Sequence, residues 1–172
     1  MSNKKILVVE DDADVRLGYN ILLRAHRYDT FFAADSVSAV SEARKHVPDL
    51  IILDLGLPGG DGFIAMERFR ANNDLNMIPI IVVSARDVHA NKERALKAGA
   101  QAYVQKPWND DELLWNIYEA LTVVYGDLAR KANTGAVSST PGGYWDSTSR
   151  SRRYYLHGTA RASASILVQR NA

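Results

Sequence analysis

The chain has 172 residues, enough for one ordinary domain with a tail, and it has no cysteine, which excludes disulfides and thiolate metal sites. The net charge of +1 hides an asymmetry, because residues 127–172 carry seven Lys or Arg and two Asp, leaving 14 basic and 18 acidic residues in the first 126. No apolar run reaches the roughly 18 residues of a membrane span. The N-terminus leads into a strand pattern and not a signal-peptide core. We therefore expect a cytoplasmic protein without membrane contact.

Short apolar runs alternate with amphipathic stretches through the first 126 residues. Three runs lack polar residues, as expected for strands buried on both faces of a parallel sheet. Strands are predicted at residues 6–9, 30–33, 50–53, 80–83 and 102–104, and helices at 14–25, 37–45, 62–71, 88–98 and around 113–124. Gly99 supplies a left-handed cap for the fourth helix, and Asn109 with Glu112 resembles a capping box for the fifth. This alternation predicts a doubly wound α/β fold with a five-stranded parallel sheet.

The composition changes after Gly126. Residues 127–133 can prolong the last helix, whereas residues 134–172 are rich in Ser, Thr, Gly, Ala and Arg without a sustained period. Such a segment buries too little apolar area to offset its ordering entropy, so it is expected to be mostly disordered. The predicted organisation is one domain at 1–126, then a helix extension and basic low-complexity tail at 127–172. A basic, aromatic stretch at 149–155 suits single-stranded nucleic acid, but no folded nucleic-acid module is visible, so a solvated tail is preferred.

Residues able to do chemistry follow four of the predicted strands. Because parallel strands end at one edge of a sheet, these side chains are expected to share a site there. They are Glu10 and Asp11, Asp54, Ser84, and Lys106 with Pro107. Crowded carboxylates bind protons more tightly unless a cation is present, and Mg²⁺ suits them best, with the Gly56 carbonyl as a further ligand. Lys106 and Ser84 suit phosphoryl oxygens, which makes Asp54 the candidate nucleophile for an aspartyl phosphate.

Each of these residues also has an ordinary interpretation. An acidic run is commonly a solvated helix start, Ser84 a cap, Lys106 a surface residue and Tyr103 a half-buried strand residue. Trp108 is a buried anchor for the last helix or, alternatively, an exposed contact. The joint arrangement favours the phosphoacceptor interpretation over these separate ones.

The sequence closely resembles the receiver domain of two-component response regulators. The resemblance covers about residues 4–125 and rests on VVEDD at 8–12, DLGLPGGDGF at 54–63, VSAR at 83–86, AGAQAY at 98–103 and KP at 106–107. It implies the flavodoxin-like strand order 2-1-3-4-5, an open sheet of the kind that binds ligands where the strand order reverses. It also implies that a sensor histidine kinase or phosphotransfer protein phosphorylates Asp54.

The resemblance also implies a role for each site residue. Asp11 would bind Mg²⁺ directly and Glu10 through water, with Asp54 and the Gly56 carbonyl completing the protein ligands. Ser84 and Lys106 would bind the phosphoryl group. Tyr103 would swing inward when Ser84 moves toward that group, and the Lys106–Pro107 peptide would be cis. Counting back from Arg16 in the family pattern makes Glu10 and Asp11 the acidic pair and leaves Asp12 as a cap or a favourable charge at the positive end of the first helix.

Phosphorylation would add about −1.5 to −2 charges at Asp54 and alter a face made by the fourth helix, fifth strand and fifth helix. We call this the switch face, and its expected members are Val88, Lys92, Tyr103, Gln105 and Trp108. A stand-alone receiver would signal by docking a downstream protein there, and a second copy of the chain is one candidate.

Two alternative functions remain open at this stage. One is a fragment of a transcriptional regulator whose DNA-binding domain is missing or replaced by the basic tail. The other is a Mg²⁺-dependent phosphohydrolase, which is disfavoured because no second acid is placed to activate water. Nucleic-acid binding by this chain is not expected.

Overall fold

The computed structural model describes residues 3–57 and 62–133, with side chains through residue 123. Its strands are β1 Lys5–Val9, β2 Asp29–Ala33, β3 Leu50–Leu53, β4 Ile80–Ser84 and β5 Ala102–Gln105. Its helices are α1 Ala13–Ala25, α2 Ser36–His46, α3 Gly62–Arg70, α4 Val88–Lys97 and α5 Asp110–Asn133. Every predicted strand and helix is present, and the four earlier helices begin and end within a residue of the predicted bounds.

All five strands are parallel and lie in the order β2-β1-β3-β4-β5, which confirms the predicted fold class. The register aligns the strand ends that matter for the site. Val9 lies opposite Leu53, so the residues that follow them, Glu10 and Asp54, leave the sheet side by side. Ser84 likewise lies opposite Gln105, which places Lys106 next to the end of β4.

The sheet is covered on both faces, which explains the unbroken apolar runs. Successive residues of β1 alternate between two buried clusters, Leu7 and Val9 in one and Ile6 and Val8 in the other. The first cluster includes side chains of α2, α3 and α4, and the second includes those of α1 and α5. Polar residues are therefore confined to the ends of the central strands, where the site forms.

Local capping accounts for where the helices begin and end. The Asp12 carboxylate accepts hydrogen bonds from the backbone N–H groups of Asp14 and Val15 at 2.8 and 3.1 Å, as predicted for an N-cap. The Asn109 side chain caps α5 by accepting from two backbone N–H groups of its first turn, and Gly99 follows α4 with φ of 97°. Asp12 and Asn109 thus begin α1 and α5 at the edge of the sheet where the site lies, and Gly99 ends α4 at the opposite edge.

Helix α5 continues to Asn133, past residue 126. The division at residue 126 stays a prediction, and the expected disorder of residues 134–172 lies outside the described residues. Within the part of the chain that the structure describes, no helix is long and apolar enough to cross a membrane.

Candidate functional site

Three carboxylates meet at the carboxyl edge of the sheet. One oxygen from each of Glu10, Asp11 and Asp54 lies within 4.8 Å of the others. Glu10 and Asp54 are 2% and 8% exposed, whereas Asp11 is open to solvent. The site is therefore an acidic pocket that is open to solvent at Asp11.

Backbone hydrogen bonds between neighbouring strands hold the main chain at the two residues with buried carboxylates. The N–H of Glu10 donates to the carbonyl of Ala33 at 3.0 Å, and the N–H of Asp54 donates to the carbonyl of Val9 at 3.0 Å. The N–H of Gly56 donates a hydrogen bond to Asp54 Oδ1 at 2.8 Å. The sheet thus fixes the backbone of Glu10 and Asp54, and Gly56 adds a bond to the Asp54 carboxylate.

Lys106 reaches the two buried carboxylates from the end of β5. Its Nζ donates to Asp54 Oδ2 at 2.7 Å and to Glu10 Oε2 at 2.5 Å, and its side chain is 16% exposed. Burial disfavours the ammonium, but the bonds to Asp54 and Glu10 outweigh it and raise the pKa of Lys106. Lys106 therefore stays charged. The peptide that joins it to Pro107 is cis.

Burial also raises the pKa of the Glu10 carboxyl above its ordinary value, and the bond from Lys106 offsets only part of this effect. The charge of Asp54 contributes in the same direction. Three carboxylates against one ammonium leave an excess of negative charge, which a hard cation relieves. The oxygen donors therefore fit a divalent metal ion, and the pocket is able to hold one.

Ser84 and Tyr103 lie behind the pocket. Ser84 is the last residue of β4, and its hydroxyl is fully buried and accepts from the N–H of Arg86 at 3.3 Å. Tyr103 is 8% exposed and donates its hydroxyl to the carbonyl of Arg86 at 2.9 Å. The short loop after β4 thus contacts both residues of the expected switch. Of the other expected face members, Lys92 and Gln105 are exposed and Val88 is half-buried.

Three features that support the site were not predicted from the sequence. Two of them are contacts made by single residues, Arg16 and Gly62. One guanidinium nitrogen of Arg16 donates hydrogen bonds to the backbone carbonyls of Glu10 and Asp11, at 2.8 and 2.7 Å. Gly62 lies so close to the chain after β3 that an added Cβ would fall 2.4 Å from the Asp54 carbonyl oxygen. The spacing of Arg16 from the acidic pair is the sequence signal that could have identified the first of these contacts.

The third unpredicted feature is an aromatic stack. Trp108 stacks on Tyr19 of α1, with ring centroids 4.5 Å apart and an interplanar angle of 16°. This contact supports the buried-anchor interpretation of Trp108. Nothing in the sequence pattern pairs these two rings, which lie 89 positions apart.

This arrangement of strand-end carboxylates, lysine and hydroxyl agrees with the sequence comparison. Residues 6–118 match the family described as response regulator receiver domain. The chain belongs to this family. A receiver is a phosphoacceptor signalling module, and in this receiver the acidic pocket comprises Glu10, Asp11 and Asp54.

Solved receiver domains have the same fold. The receiver domain of a sensor histidine kinase from Pseudomonas aeruginosa, solved with a magnesium ion coordinated in its active-site cleft, is 30% identical with a TM-score of 0.64, covering 69% of this chain and 98% of that one. A CheY-like receiver domain protein from Methanospirillum hungatei is 27% identical with a TM-score of 0.68, covering 73% and 99%.

Curated relatives include transcriptional regulators. The phosphate regulon transcriptional regulatory protein PhoB of Escherichia coli is 34% identical over 114 residues, which are 66% of this chain and 50% of that protein. The transcriptional regulatory protein PhoP of Escherichia coli is 36% identical over 110 residues, 64% of this chain and 48% of that protein. The chain spans about half the length of the curated relatives it matches.

Proposed function

We propose that this receiver accepts a phosphoryl group on Asp54 from a histidine kinase or phosphotransfer protein. The observation that carries the proposal is the convergence of Glu10, Asp11 and Lys106 on Asp54 at the edge of the sheet. Family membership supports the same reaction class.

Mg²⁺ is the proposed cofactor, held by Glu10, Asp11, Asp54 and the carbonyl of Gly56. When bound, it would neutralise the carboxylates and the oxygens of the transferred group. The relative with magnesium in its cleft supports this choice of ion. The open side of the pocket, at Asp11, leaves a route for the ion and the phosphodonor.

In the proposed step, a carboxylate oxygen of Asp54 forms a bond to phosphorus while the bond from phosphorus to the donor breaks. The donor leaves with the electron pair of that bond, so no proton has to be taken from Asp54. The Lys106 ammonium compensates the charge on the phosphoryl oxygens, and the Ser84 hydroxyl donates to one of them. The role of the protein is therefore to position and neutralise.

The proposed output passes through the loop after β4. Drawing Ser84 toward the new phosphoryl group moves Arg86, whose carbonyl accepts the hydrogen bond from Tyr103. A change at Tyr103 then alters the switch face, where a downstream protein or a second copy of the chain would dock. We infer a signalling role in the cytoplasm.

The test is incubation with Mg²⁺ and a small acyl phosphate, followed by intact mass measurement. Wild-type protein should gain one phosphoryl group, and Asp54→Asn should gain none. Asp74→Asn, which changes an exposed aspartate outside the pocket, is the matched control and should be labelled like wild type. Labelling of Asp54→Asn at another residue would contradict the assignment.

The second candidate function is that of a receiver within a DNA-binding regulator, because the curated relatives PhoB and PhoP are transcriptional regulatory proteins. A salt-sensitive shift of duplex DNA that disappears on deletion of residues 134–172 would favour it. If duplex DNA is not shifted even at low salt, the chain acts as a receiver that does not itself bind DNA.

A further inference from the structure

An aromatic pair, made of the buried Tyr19 and the half-buried Trp108, joins α1 to the segment that carries the lysine of the pocket. Tyr19, on α1, is 1% exposed. Its ring lies 4.5 Å from that of Trp108, with the planes only 16° apart. Aromatic rings in a stacked arrangement attract one another beyond the burial of their surface. The pair therefore joins the first helix to the segment that follows β5.

That segment carries Lys106, since one residue, Pro107, separates it from Trp108. On the sheet side, the N–H of Lys106 donates to the carbonyl of Ser84 at 3.0 Å. On the helix side, Asn109 caps α5. Between these two anchors, the stack with Tyr19 is the ring contact that holds the turn, so it limits where the Lys106 side chain begins.

Tyr19 contributes its ring and no charge. Burial raises the pKa of its hydroxyl, and the carboxylates of Glu10 and Asp54 raise it further. The hydroxyl therefore stays protonated and adds no negative charge to those of the three carboxylates. The backbone that carries the two buried carboxylates is anchored apart from the stack, since the N–H of Glu10 donates to Ala33 of β2 and the N–H of Asp54 donates to Val9 of β1.

We propose that Tyr19 and Trp108 are positioning residues for phosphoryl transfer, because their stacked rings hold the turn that aims Lys106 at Asp54. This inference rests on the proposed function. It divides the site into two parts, with metal affinity set by the carboxylates on the central strands and the rate of transfer sensitive to the stack.

The test compares two measurements on the full-length chain. One is the rate of Asp54 phosphorylation by an acyl phosphate at saturating Mg²⁺, and the other is Mg²⁺ affinity by calorimetry. Tyr19→Leu should slow transfer by about tenfold to a hundredfold, the range expected when a catalytic group is misplaced by up to 1 Å, with unchanged Mg²⁺ affinity. Tyr19→Phe, which keeps the ring, should restore the wild-type rate.

Two controls separate positioning from general loss of packing. Leu23→Ala removes a fully buried side chain of the same helix and cluster, and it should lower stability without slowing transfer. In a Lys106→Met background, Tyr19→Leu should cause no further slowing, because the stack acts through that lysine. If Tyr19→Leu does not fold by circular dichroism, Trp108→Leu replaces the half-buried partner instead.

The inference is overturned if both stack variants transfer at the wild-type rate, if Leu23→Ala slows transfer equally, or if the Lys106 and Tyr19 effects multiply. It is also overturned if Mg²⁺ affinity falls in parallel with the rate. If wild-type protein gains no phosphoryl group, the proposed function itself is contradicted. Failure of the inference and failure of the proposed function are therefore distinguishable.

Discussion

Replacing Asp11 by Asn should stabilise the metal-free protein. Asp11 is the exposed member of the acidic cluster, and its oxygen lies within 4.8 Å of both other carboxylates. In a water-like dielectric, two unit charges at this distance repel by about 0.9 kcal/mol. Asp11 is repelled by both Glu10 and Asp54. The positive charge of Lys106, which pairs with these two carboxylates, offsets roughly one of the two repulsions. Removing the Asp11 charge should therefore raise the free energy of unfolding by about 1 kcal/mol.

Magnesium should reverse this order. A ligand at a hundred times its dissociation constant stabilises the folded state by about 2.7 kcal/mol. Wild-type protein should gain that amount, whereas Asp11→Asn, having lost a proposed ligand, should gain much less. The variant is thus expected to be the more stable protein in EDTA and the less stable one in saturating Mg²⁺.

Urea unfolding followed by far-UV circular dichroism measures both conditions. Asp74→Asn is the control and should show neither effect. In EDTA the difference should fade near 1 M NaCl, where the screening length is about 3 Å. Equal or lower stability of Asp11→Asn in EDTA at low salt would refute the repulsion argument, and equal stabilisation by Mg²⁺ would refute the role of Asp11 as a ligand.

Further changes test the support of the site and the stability of the fold. Arg16→Met removes the bonds to the carbonyls of the acidic pair and should weaken Mg²⁺ binding by about tenfold to a hundredfold in calorimetry, whereas Arg24→Met should not. Gly62→Ala forces a backbone clash and should lower the free energy of unfolding by about 1–3 kcal/mol. Gly18→Ala, where an added Cβ meets nothing within 4 Å, should raise it by about 0.4–1 kcal/mol; the opposite ranking in urea unfolding would contradict the packing argument. Asp35→Ala should cost about 1 kcal/mol at pH 7 because it removes an N-cap. The bonds from Ser38 lower the pKa of Asp35, so its contribution is complete above pH 3.8 and is lost as the pH falls through the lower folded-state pKa. The unfolding curves of wild type and Asp35→Ala should therefore converge in acid. Asp35→Asn should match wild type at pH 7 and keep its cap in acid.

Much of the fold could be predicted because its signals are local. The apolar runs at β1, β3 and β4 identify buried parallel strands without any knowledge of their neighbours. Caps such as Asp12 and Asn109 are likewise encoded within a few residues. Strand register, however, is needed before Glu10 and Asp54 can be placed side by side.

The contacts that tune the site could not be predicted in this way. Lys106 bonds to carboxylates 96 and 52 positions away, and Tyr19 stacks on Trp108, which lies 89 positions away. Gly62 is predicted only as the first residue of a helix, yet its Cα approaches the backbone after Asp54. Distances between segments so far apart depend on how helices pack, which no short-range pattern contains.

The amino-acid sequence alone determined the alternation of strands and helices, the residue types at each strand end and the family to which they belong, because periodicity, capping and motif spacing are properties of neighbouring residues. Only the tertiary structure decided that one ammonium serves two carboxylates, that Arg16 holds the acidic pair by its backbone and that an aromatic stack joins α1 to the segment that carries Lys106. These features depend on the packing of α1 and the turn after β5 against the finished sheet, so they exist only once the chain has folded.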